Sequence, residues 1–241
     1  GLGQSFRPMS AEQRYARQTM LPEIGDEGQR RLAEASALIV GAGGLGSPAA
    51  LYLTGAGVGR IGLADADTVS LSNLQRQVLY TEAQIGVPKV EAARDRLAAL
   101  CSTTRFECHP RGIDPDNADE IISRYDIVLD CCDNFPTRYL LDEVCARLHK
   151  PWVHGSIGEF YGQVTLFRPG GAMRYRDLFP DRERLCARPA ATAGVLGTVP
   201  GIVGTLMASE ALKTIVGFGR TLDRRLLTLD LKNMNIDIID L

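Results

Sequence analysis

Three groups of residues in this chain have types and spacings suited to chemistry on a phosphate. The first is Gly41, Gly43 and Gly46, which follow the apolar run 37–40 with the spacing G-x-G-x-x-G. Glycines so spaced let the backbone turn sharply after a strand and approach a phosphate, whose charge then meets free amides at a helix N-terminus. Asp65 lies about 20 residues further on, at the end of a second apolar run, where a carboxylate meets ribose hydroxyls. NAD and FAD satisfy this much equally well, as does a tight strand-to-helix turn that holds no ligand.

The second group is the polar run SLSNLQRQ, residues 70–77, with Lys89 beyond it. A plain dinucleotide site does not require such a run. An Arg76 fork and a Lys89 point charge on one triphosphate would neutralise charge as it moves onto departing pyrophosphate. Both residues also fit a solvated charged face, and Val87-Pro88-Lys89 reads equally as an ordinary helix start. The third group lies in YDIVLDCCDNFPTR, where Asp130, Asp133 and Asn134 follow a short apolar strand. Open α/β sheets place ligands at that end of their strands, and a carboxylate facing a triphosphate is a reasonable Mg²⁺ ligand. Alternatively, Asp133 or Asn134 caps the helix that starts near Pro136.

The elements that must position these groups alternate. A helical region over 11–33 precedes strand 37–40, helix 48–57, strand 60–63, helix 89–101, strand 105–109, helix 117–123, strand 126–129 and helix 137–149. This pattern predicts a doubly wound, mainly parallel, Rossmann-like α/β sheet. From Trp152 onward, 153–156, 163–167 and 225–230 read as antiparallel strands that extend the sheet in the C-terminal third. The segment 174–192 has little periodicity and suits a crossing loop or a plain surface loop.

At 241 residues the chain is long enough for one large domain, expected over 9–241, and GLGQSFRP before Met9 reads as a cloning remnant. A formal charge of −2 argues against a general nucleic-acid binder. The apolar stretch 199–216 contains Ser209, Glu210 and Lys213, so a buried helix is expected there and no membrane span. The six scattered cysteines, two of them adjacent at Cys131 and Cys132, suit a reducing, cytoplasmic setting.

Taken in order, GAGGLGSPAALYLTGAGVG, Asp65, SNLQRQ, PKVEAARDRL and VLDCCDNFPTR resemble the ThiF/MoeB/HesA adenylyltransferases, which activate ubiquitin-like sulfur carrier proteins. The resemblance runs from about Arg14 to about Lys213. It implies ATP and Mg²⁺ as cofactors and, as substrate, the C-terminal carboxylate of a small carrier ending in Gly-Gly, in molybdopterin or thiamine biosynthesis. It places the loop of Gly41, Gly43, Gly44 and Gly46 on the phosphates and Asp65 on the ribose. Ser72, Asn73, Leu74, Gln75, Arg76 and Lys89 would line the triphosphate, and Asp133 would bind Mg²⁺ with Asn134 beside it. Arg17, in RYARQ, would reach the γ-phosphate in the other subunit of a homodimer. A sulfurtransferase is a possible further partner. An NAD-linked oxidoreductase and a non-catalytic carrier-binding relative remain the alternative functions.

The chain departs from this family in two places. RYRD at 174–177 stands where many members have C-Y-R-C, and the second C-x-x-C is missing, so no structural zinc is expected. The family's loop cysteine falls at about Ala190, with Cys186 four residues upstream as a substitute or an incidental thiol.

Overall fold

The apolar run before the glycines becomes β1 (Ser36–Val40), whose five residues are all buried. The computed structural model describes residues 10–171, 173–190 and 193–241; the expected remnant at 1–8 and the last two residues of segment 174–192 lie outside them. Around β1 are β2 (Arg60–Ala64), β3 (Arg105–His109), β4 (Ile127–Asp130), β5 (Trp152–Gly158), β6 (Tyr161–Phe167), β7 (Arg225–Asp230) and β8 (Asn235–Asp240). They form one eight-stranded sheet in the order β3-β2-β1-β4-β5-β6-β7-β8. Pairing is parallel from β3 through β5 and antiparallel from there to β8. The expected mixed α/β sheet is present, and its strand order reverses between β1 and β4. Chains leave those two strands in opposite directions there, which opens a crevice at their C-terminal ends.

The helices are α1 (Ala11–Thr19), α2 (Gly25–Glu34), α3 (Gly46–Ala56), α4 (Lys89–Leu100), α5 (Ala118–Ser123), α6 (Phe135–Arg147), α7 (Tyr175–Leu178), α8 (Arg182–Cys186) and α9 (Thr198–Val216). Alternation along β1 sorts them onto two faces. Ala37 and Ile39 pack in one core with Leu53 of α3, Leu97 of α4 and Val203 of α9. Leu38 and Val40 pack in the other with Ile122 of α5 and Leu141 and Val144 of α6. Helix α9 is long and apolar enough to cross a membrane, but it packs on α3, β5 and β6.

Three differences from the sequence reading have physical reasons. The leading helical region is two helices, because Pro22 has no N–H and disfavours helix in the residue before it. Strand β8 lacks a buried face, all six residues being exposed, so its alternation gives no burial signal. The aperiodic stretch after Arg174 contains α7 and α8, each too short to show a period.

Gly41 and Gly46 set the tight turn after β1. Gly41 has φ +100°, and a Cβ on it would stand 2.4 Å from the Cys131 carbonyl oxygen; one on Gly46 would stand 2.1 Å from the Gly41 oxygen. Gly41→Ala is therefore expected to cost about 1–3 kcal/mol through backbone strain alone. At this chain length that lowers Tm by at least ~2 °C. An unchanged melting curve would refute the close approach.

Candidate functional site

The crevice between β1 and β4 is walled on one side by the glycine turn, which runs directly into α3. The Gly41 N–H donates to the Ala64 carbonyl at 2.8 Å and ties the turn to β2. Ser47 Oγ donates to the Gly43 oxygen at 2.7 Å, and the Tyr80 hydroxyl to the Ala42 oxygen at 2.5 Å. Burial pushes the Tyr80 hydroxyl well up, with the nearby Asp65 charge adding to the effect, so it stays a donor. Asp65 follows β2 as the sequence suggests. Its Oδ2 accepts from the Ala42 N–H and its Oδ1 from the Asp67 N–H, both at 2.8 Å. Each oxygen keeps acceptor capacity for a hydroxyl.

The polar run 70–77 folds into a turn against this wall. Ser70 donates its N–H to Asn73 Oδ1 at 3.0 Å, and residues Leu71–Asn73 make one 3₁₀ turn. Asn73 is thus partly a structural group, Leu74 packs on the core, and Ser72 offers its carbonyl to Arg76 at 3.2 Å. The Arg76 chain runs beside Gly44, its Cδ 3.6 Å from where a Gly44 Cβ would be. Its Nη1 also donates to Gln75 Oε1 at 2.9 Å, and among the described residues the guanidinium makes no ion pair. Lys89 opens α4, its N–H held by the Asp67 carbonyl at 2.9 Å. Only 5 % of Lys89 is exposed, and among the described residues it makes no ion pair. Its ammonium thus has no anion among the described residues and is available to a phosphate.

The opposite wall is the turn 131–134 after β4. Asn134 turns out to be the helix cap: its Oδ1 accepts from the Thr137 N–H at 2.9 Å. Its Nδ2 lies 3.5 Å from Asp133 Oδ1, and the Asp133 carboxylate is otherwise open and exposed. Asp130 is fully buried and bonds to His154 Nδ1 at 2.7 Å. Burial pushes the thiols of Cys131 and Cys132 well above their usual range, so neither is a thiolate nucleophile.

Lys89, Arg76, the glycine turn and Asp65 are thereby gathered at one sheet edge with the turn that carries Asp133. Arg17 is not among them. It is exposed on α1, whose Gln18 bonds to the Ala56 carbonyl at the far end of α3, a helix of 11 residues and about 16 Å. Among the described residues no three His, Cys, Asp or Glu side chains are grouped to hold a metal. Magnesium needs no such group, because one carboxylate plus phosphate oxygens and water suffice; Asp133 fits that role. Cys186 is half-buried at the end of α8 and packs on the core beneath α6.

The sequence reading missed two residues here. Gln77, 4 % exposed, places its Nε2 within 3.3 Å of a Cβ built on Gly43, while its buried Oε1 has no partner among the described residues. His154 lies wholly buried in β5, and a lone histidine in an apolar strand gave no signal. Two hollows lie outside the crevice. One of about 580 Å³ lies between α1 and α2 at the far end of the sheet, remote from the glycine turn. The other, about 570 Å³, is a groove over β5 to β8 lined by Glu159, Gln163, Asp230 and Asp237 among others.

Residues 15–241 match the model of the ThiF family. The chain is 49% identical over 223 residues to the sulfur carrier protein adenylyltransferase of Thermus thermophilus, covering 90% of this chain and 82% of that one. It is 43% identical over 229 residues to adenylyltransferase and sulfurtransferase MOCS3-1 of Zea mays, covering 95% of this chain but 49% of that protein. It thus spans about half the length of the MOCS3 relatives. E. coli MccB solved with ATP has the same fold, with a TM-score of 0.80 at 22% identity over 94% of this chain and 71% of MccB. With a family match over nearly its whole described length, the chain belongs to the ThiF family.

Proposed function

We propose that this chain uses ATP to adenylate the C-terminal glycine carboxylate of a small ubiquitin-like sulfur carrier protein, releasing pyrophosphate. The observation that carries the reading is Lys89, 5 % exposed and without an ion pair among the described residues, at the same end of the sheet as Arg76 and the turn of Asp133. Relatives named for adenylyl transfer to a sulfur carrier support it.

The nucleophile is the carrier's carboxylate, already ionised at neutral pH, so no side-chain base is needed. It attacks the α-phosphorus, and the bond to the bridging oxygen of pyrophosphate breaks in line. The glycine turn and the N-terminus of α3 bind the phosphates through backbone amides. Asp65, oriented by the Ala42 and Asp67 amides, holds the ribose. Arg76 and Lys89 stabilise charge gathering on the leaving group. Asp133 would hold Mg²⁺, which when bound shields the phosphate oxygens from an incoming anion. Arg17 would serve the site of a second copy in a homodimer. The carrier's pathway is proposed as molybdopterin or thiamine biosynthesis, in the cytoplasm, with a sulfurtransferase acting afterwards.

The direct test is incubation with MgATP and candidate carriers ending in Gly-Gly, followed by mass spectrometry of the carrier. A carrier gaining one adenylyl group is expected. Tight NADH binding with no ATP binding would replace the reading with hydride transfer. Carrier binding without ATP or AMP binding would make the chain a scaffold.

A further inference from the structure

Beneath the turn 131–134 lies a buried polar chain that the adenylation chemistry does not use. Asp130 and His154 have no exposed surface, and Arg138 has 8 %. Asp130 Oδ1 accepts from the Cys132 backbone N–H at 3.3 Å and from its thiol at 2.8 Å. Asp130 Oδ2 accepts from His154 Nδ1–H at 2.7 Å. On the other side, Arg138 Nη2 donates to the Cys132 carbonyl at 3.3 Å, and its Nε stands 3.6 Å from Asp130 Oδ2. Cys132 is therefore gripped at its N–H, its thiol and its carbonyl, one residue before Asp133.

The chain continues outward. Burial lowers the affinity of His154 for a second proton, so with Nδ1–H given to Asp130 its Nε2 is a bare acceptor. Gln163 Nε2 donates to it at 3.1 Å, and Gln163 lines the groove over β5 to β8. Placing a carboxylate and a guanidinium in the interior gains little stability over apolar residues of the same volume. What the arrangement does supply is geometry. The same turn donates the Cys131 N–H to Val40 at 2.8 Å and presses its carbonyl against Gly41, so its position sets both walls of the crevice.

We infer that Asp130, His154, Arg138 and Gln163 are positioning residues that fix the turn 131–134 and thereby aim the Asp133 carboxylate at the metal of bound MgATP. The inference rests on Asp133 being that metal's protein ligand.

The test is Mn²⁺ affinity of the complex with a non-hydrolysable ATP analogue, read by electron paramagnetic resonance, alongside analogue affinity in EDTA. His154→Leu deletes the donor to Asp130 at similar volume and is expected to weaken Mn²⁺ binding by about tenfold, as is usual when a group orienting a ligand is lost. Analogue affinity in EDTA should stay within about twofold, since the amides of the glycine turn do not need the metal. His154→Asn, whose amide N–H stands close to Nδ1, should recover most of the loss. Wild-type Mn²⁺ affinity in His154→Leu, or no recovery in His154→Asn, overturns the inference. Should His154→Leu not fold, Gln163→Leu, at the half-exposed outer end, carries the same test with a smaller expected loss, and wild-type affinity there overturns it. Asp133→Asn separates the two levels. If it binds Mn²⁺ like the wild type, the ligand assignment itself fails and the inference with it. If it alone binds weakly, only the positioning role fails.

Discussion

Asp133→Ala lowers carrier-dependent ATP–pyrophosphate exchange by about a hundredfold or more, the usual cost of removing a group that stabilises transition-state charge. The fold should not notice the change. Asp133 is exposed, and among the described residues its one side-chain hydrogen-bond partner is Asn134 Nδ2 at 3.5 Å, which belongs to a residue already satisfied as a cap. Melting temperature and nucleotide affinity in chelator should therefore stay near the wild type. An exchange rate equal to the wild type at saturating Mg²⁺ would sink the assignment of Asp133.

Lys89→Met gives the second large effect, and its diagnostic value lies in opposite signs. Exchange is expected to fall by about a hundredfold or more, because the ammonium that meets charge on departing pyrophosphate is gone. Stability is expected to hold or rise. Lys89 is 5 % exposed and makes no ion pair among the described residues, so Met, apolar and of similar length, fills the same space without breaking a charge pair in the ligand-free fold. Thermal denaturation without nucleotide reads this directly. A variant that loses both activity and several degrees of Tm would mark Lys89 as a structural residue, and the triphosphate reading would lose its main support.

Much of this was legible in the sequence, for identifiable reasons. The glycine spacing, Asp65 and the alternation of apolar runs are local signals, set by the turn they must make and the faces they must bury. The run SNLQRQ was legible only as a motif; its turn depends on the Asn73 side chain bonding back to Ser70. Between the two readings open for Asn134, the structure selects the cap and leaves Asp133 free for another role. The chain through Asp130, His154 and Arg138 could not be read in advance. Its members come from β4, β5 and α6, and they meet only because β4 and β5 pair with Asp130 opposite His154. Gln77 was legible only as the end of the polar run 70–77, since its burial is set by packing against a glycine more than 30 residues earlier.

The adjacent cysteines behind Asp133 have a consequence for the chemical company this protein would keep. Persulfides and mixed disulfides, which a sulfur-transfer step would bring near, exchange by attack of a thiolate on the S–S bond. Cys131 and Cys132 are 6 % and 9 % exposed, and burial holds both firmly protonated. Cys132 further commits its proton to Asp130. The two thiols of this turn are thus poor nucleophiles toward an S–S bond. Under the proposed function, a thiolate for any sulfur-transfer step would have to come from outside this turn.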